Sequence, residues 1–88
     1  MQLGVFSVFD TKAETYNNPF YSSNRATATR GVSNAMVSNG PYMDYALSPS
    51  DYILMELVVF NSDTGMFELL DAPVSVCNLV SLVRSKEE

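Results

Sequence analysis

Residues 52–70 read YILMELVVFNSDTGMFELL, an apolar run, a five-residue polar break and a second apolar run. Asn61-Ser62-Asp63-Thr64-Gly65 has the composition of a hairpin loop, with Gly65 free to take positive φ. The flanking residues Tyr52–Phe60 and Met66–Leu70 then read as antiparallel strands. A hairpin inside a chain that also carries helical patterning points to an α+β domain.

Working outward, Gln2–Phe9 reads as the first strand. Leu3, Val5, Ser7 and Phe9 face one way, and Gly4, Phe6 and Val8 face the other. Asn17-Asn18-Pro19 marks a turn, and residues 10–23 read as a loop rich in aromatics. Asn24 is placed to cap a helix running to about Ser38, with Ala28, Val32, Ala35 and Met36 as its buried stripe. Asn39-Gly40-Pro41 has the chemistry of a left-handed helix stop. Ser48-Pro49-Ser50-Asp51 reads as a single helical turn with Pro at its first position. Pro73 is expected to open a last helix, because Val76, Leu79, Val80 and Val83 follow helical spacing, with Arg84 and Lys86 suited to its C-terminal end.

The expected order is β-α-β-β-α: a three-stranded, largely antiparallel sheet with two helices on one face, in a single domain over residues 1–88. Both long strands are apolar on both faces, so the other face is expected to be covered by oligomerisation. A chain of 88 residues buries only about 60% of its unfolded surface, which makes such help valuable. One cysteine, Cys77, excludes an intrachain disulfide, and the absence of His makes a zinc site improbable. No metal and no cofactor are expected. No apolar run reaches the ~18 residues of a membrane helix, so the expected setting is a cytoplasm without membrane contact.

Charge divides the chain. Residues 1–43 carry Lys12, Arg25 and Arg30 against Asp10 and Glu14, a balance of +1; the rest carries eight acids against Arg84 and Lys86, a balance of −6. With a net charge of −5, nucleic-acid contact would have to be local to the N-terminal half.

No catalytic constellation is present, and without His the usual general base is missing, so no enzyme is expected. Asp44, Asp51, Asp63 and Asp71 sit at turns or caps, where Asp serves the backbone. Glu56, mid-strand, either faces solvent or pairs with Lys12 or an Arg of a second copy. The strongest candidate surface is Tyr16 and Tyr21 interleaved with Lys12, Arg25 and Arg30, since stacking rings among cations suit single-stranded nucleic acid. The competing reading makes Phe20 and Tyr21 a hydrophobic staple on the first helix.

Several stretches carry a resemblance: VFSVFDTKAE near the start, PF before the first helix, ATR within it, SPSDYILMEL leading into the second long strand, and FNSDTGMFE at the hairpin. From Met1 to Val76 the chain resembles the small non-structural protein of gokushovirus-like microviruses, single-stranded DNA phages. The GPYMDY stretch and the acidic balance depart from that pattern. The resemblance implies an accessory factor of phage genome replication in the host cytoplasm, binding DNA or assisting the switch to single-strand synthesis. It makes Phe6, Phe9, Pro19, Phe20, Tyr52 and Gly65 structural, and draws attention to Asp10, Lys12 and Arg30. The alternative is a dimeric adaptor that binds a phage replication or host protein.

Overall fold

The computed structural model describes residues 1–37 and 43–82. Its elements are β1 (Gln2–Asp10), β2 (Thr15–Tyr16), β3 (Phe20–Ser22), α1 (Arg25–Val37), α2 (Met43–Leu47), a 3-10 turn (Pro49–Asp51), β4 (Tyr52–Asn61) and β5 (Met66–Asn78). The α+β class stands, but the sheet has five strands rather than three. Every pairing is antiparallel. β1 and β4 are central, β5 forms one edge, and β2 and β3 together form the other by pairing successive parts of β1.

The expected aromatic loop is therefore a broken edge strand. Phe9 pairs with Tyr16, and Phe6, Val5 and Gly4 pair with Phe20, Tyr21 and Ser22. The turn between β1 and β2 is held by the Asp10 carboxylate, whose Oδ1 accepts from the backbone N–H of Lys12 (2.9 Å) and Ala13 (3.1 Å). That accounts structurally for Asp10. The interruption centres on Asn17: its N–H donates to Val8 O at 2.9 Å, its carbonyl accepts from Ser7 Oγ at 2.5 Å, and its amide nitrogen donates to the Tyr45 hydroxyl. Pro19, with no N–H to give, completes the break.

The last helix expected from Pro73 is overturned. Val74–Asn78 stays in the sheet, pairing Val74 with Glu56 and Cys77 with Leu54, and helix begins only at residues 80–82. Val74 and Val76 are β-branched and suit a half-buried pleat, so sheet packing outweighs the helical spacing. Pro73 fits because residues 70–73 bulge out against Leu57 alone, where no ladder N–H is required. Val83, Arg84 and Lys86 lie outside the described residues, as does the Asn39-Gly40-Pro41 helix stop.

The first helix stands. Asn24 Oδ1 accepts from Thr27 N–H at 2.8 Å, and Ala28, Val32 and Met36 are buried. Packed on the sheet, they enclose Phe6, Val8, Leu54, Tyr45, Leu79 and Leu82 in one core, with Phe20 against it. Gly65 takes φ +76° in the hairpin turn, as expected.

One irregularity reassigns faces along β4. Val5 pairs with Val58 but Phe6 pairs with Glu56, leaving Leu57 as a bulge. Leu54 and Glu56 therefore face α1, whereas Val58 and Phe60 face the other way. An uninterrupted strand would have put all four on one side.

Candidate nucleic-acid interface

The sheet face away from α1 carries no described helix. Alternation places Leu3, Val5 and Phe9 of β1 there, and pairing adds Tyr16 and Tyr21 from the broken edge. Val58 and Phe60 join from β4, and Phe67 and Leu69 from β5. Val5 is buried without belonging to the helix-side core, between its pairing partners Tyr21 and Val58.

Aromatic contacts organise this face. The rings of Phe9 and Tyr16 lie 4.7 Å apart, Tyr21 meets Phe60 edge-on at 5.8 Å, and Phe60 meets Phe67 at 5.1 Å. Each tyrosine thus meets a phenylalanine, Tyr16 on the adjacent β1 and Tyr21 across β1 on β4, and both stay partly open: Tyr16 is 45% and Tyr21 56% exposed. Phe20 turns to the other face, where it stacks on Phe6 of β1 at 6.0 Å and packs against the helix-side core. Strand alternation separates the adjacent Phe20 and Tyr21 onto opposite faces.

The cations do not gather with the tyrosines. Lys12 is exposed in the turn that leads into β2. Arg25 begins α1, on the covered side, and its Nε donates to Glu56 Oε1 at 2.7 Å. Glu56 therefore neither faces solvent nor needs an Arg of a second copy; it is buried and paired within its own chain. Arg30 is exposed on α1. Of the five sequence candidates, Tyr16 and Tyr21 share the open face, Lys12 lies in the turn that adjoins β2, and Arg25 and Arg30 lie on α1. Residue-level reading missed Phe60 and Phe67, whose signal was the hairpin itself: once the loop is placed, the two rings fall at paired positions.

A second concavity lies between α1 and the Asn17–Pro19 break. It is a groove of about 650 Å³ whose lining includes Val8, Phe20, Val32, Ala35 and Tyr45. Gly31 leaves it open, since a Cβ there would meet nothing within 4 Å. Among the described residues, no charged side chain lines this groove.

Cys77 sits half-buried on β5, beside α1. Burial pushes its thiol above the ordinary value of 9.0, opposed by a hydrogen bond with the Thr29 side chain. Among the described residues no three His, Cys, Asp or Glu side chains come together as metal ligands, and no helix is long and apolar enough to cross a membrane.

The family model described as "Phage ORF5 protein" matches residues 3–82. No curated protein and no solved structure matches the chain.

Proposed function

The chain belongs to the Phage ORF5 protein family, and on that footing we propose that this phage protein is a non-enzymatic accessory factor of single-stranded DNA genome replication in the host cytoplasm, in a microvirus of the gokushovirus type. It holds single-stranded nucleic acid on the open face of its sheet. Tyr16 and Tyr21 stack on bases, and Lys12 meets a phosphate.

One observation carries this reading. Two half-exposed tyrosines, each braced by a phenylalanine, lie on a sheet face with no described helix over it. A braced ring loses little freedom when a base stacks on it, and such stacking contributes about 1–3 kcal/mol per base. Sheets that present aromatics in this way suit unpaired strands, because the bases must be splayed for their faces to be reached. Arg25 is committed to Glu56, so affinity rests on stacking more than on charge.

A second reading, the dimeric adaptor for a phage replication or host protein, draws on the net charge of −5 and on the apolar residues that surround the tyrosines. Fluorescence anisotropy of a labelled oligothymidylate, run at low salt beside thermal melts, separates the two. The nucleic-acid reading expects binding by the parent, and a loss of about 5- to 150-fold for Tyr16→Ala or Tyr21→Ala, with little change in melting temperature. An unbound oligonucleotide at low salt leaves the adaptor.

A further inference from the structure

The sheet has two edges, and they are built differently. One consists of β2 and β3, two and three residues long, parted by Asn17-Asn18-Pro19. Short, interrupted strands with Pro blunt an edge against pairing. On the other edge, the C-terminal arm of β5 (residues 74–78) follows a four-residue bulge containing Asp71 and Pro73, which blunts it too. The N-terminal arm, residues 66–69, is different. It is regular, it pairs β4 on one side, and its other side has no strand partner among the described residues. Three of its four residues are large, apolar and exposed: Met66 by 64%, Phe67 by 54% and Leu69 by 83%.

We propose that two copies of the chain pair edge to edge through this arm, antiparallel, with Phe67 opposite Phe67 of the second copy. One unblunted edge per chain favours closure: pairing it with its own copy consumes both free edges and gives a two-fold dimer rather than a filament. The side chains then select the register. A two-fold axis perpendicular to the sheet keeps each residue on its own face, so the axis passes beside a residue, and the two centrings that keep most of the 66–69 arm paired fall at Phe67 and Glu68. Centring on Glu68 sets two carboxylates directly opposite each other, which destabilises a strand pair. Centring on Phe67 sets Met66 against Glu68 and Leu69 against Gly65. At Gly65 the space where a Cβ would lie is empty, so Leu69 has room. The ring row Tyr21–Phe60–Phe67 then continues into its copy, doubling the open aromatic face. This pairing does not rest on the nucleic-acid reading.

Sedimentation equilibrium of the full chain, without nucleic acid and at tens of micromolar, tests it. The parent is expected at twice its 9.7 kDa mass and Phe67→Glu at the monomer mass, while a melt shows that the variant still folds. Cysteine placement in a Cys77→Ser background checks the register without relying on that variant: Phe67→Cys is expected to cross-link on oxidation, and Glu68→Cys is not. A parent at monomer mass overturns the proposal. So does a dimer that survives Phe67→Glu, or one that cross-links through position 68 and not 67.

Discussion

The Arg25 guanidinium, in the first turn of α1, donates from Nε to Glu56 Oε1 across 2.7 Å. Glu56 sits in β4 with its side chain only 11% exposed, whereas that of Arg25 is 57% exposed. A lone carboxylate at such a depth would carry a large desolvation cost. The pair removes most of it by letting one long cation bridge solvent and the sheet. It also ties the start of α1 to β4, and it engages the Nε of Arg25 with a carboxylate of its own chain.

Arg25→Ala is therefore expected to lower stability by about 1–3 kcal/mol, because it leaves the buried Glu56 carboxylate without its charged donor. Glu56→Leu added to Arg25→Ala should recover part of the loss. Urea titrations of the single and double variants measure both effects. An unchanged midpoint for Arg25→Ala, together with a loss of oligonucleotide affinity, would assign Arg25 to the ligand and not to Glu56.

Gly4 is required by the ring of Phe6. A Cβ at position 4 would lie 2.4 Å and 2.6 Å from two Phe6 ring carbons, and Phe6 is fully buried with nowhere to retreat. Gly4→Ala is expected to cost about 1–3 kcal/mol through overpacking. A thermal melt matching the parent would show that the ring can move.

Cys77 predicts a pH dependence. Its folded-state pKa lies above the ordinary 9.0, so the folded chain holds the thiol proton more tightly than the unfolded chain does. That contribution is present below pH 9.0 and is lost as pH rises beyond it through the folded-state value. Stability should fall above about pH 9 in the parent, and fall less in Cys77→Ser. At pH 7 the thiol should react slowly with a disulfide reagent in native buffer and quickly in denaturant. Equal rates in the two conditions would contradict its burial.

Much of the fold was legible because local signals agreed with one another. Asn24, the Ala28-Val32-Met36 stripe, Pro49 and Gly65 each fix a cap, a face or a turn by their own chemistry. Three strand segments were not legible for identifiable reasons. Val76, Leu79 and Val80 satisfy a helical period, but Val74 and Val76 also satisfy a strand, and only the presence of β4 decides. The edge strands β2 and β3 are too short to show alternation, so pairing with β1 alone reveals them. At the site, Tyr16 and Tyr21 were readable as candidate surface aromatics. The bulge at Leu57 was not, because Leu57-Val58-Val59 is apolar throughout and carries no face information.

The dispersal of the cations sets an expectation for salt. If Lys12 is the one phosphate partner, as proposed, log affinity for a single strand should fall with log salt at a slope of about −0.7, since each contact contributes about that much. Lys12→Ala should flatten this dependence, and Arg30→Ala should not. A slope near about −2 in a salt titration would instead require three phosphate contacts and return the arginines to the interface.

The most direct test of where the ligand sits is a nitrogen–proton correlation spectrum recorded while a short oligothymidylate is added at low salt. A ligand on the open face shifts only residues there, at Tyr16, Tyr21, Phe60 and Phe67, and Lys12 in the adjoining turn, with the α1 amides from Arg25 to Val37 unmoved. Shifts clustered along α1, or a spectrum that does not change at saturating oligonucleotide, would contradict that placement.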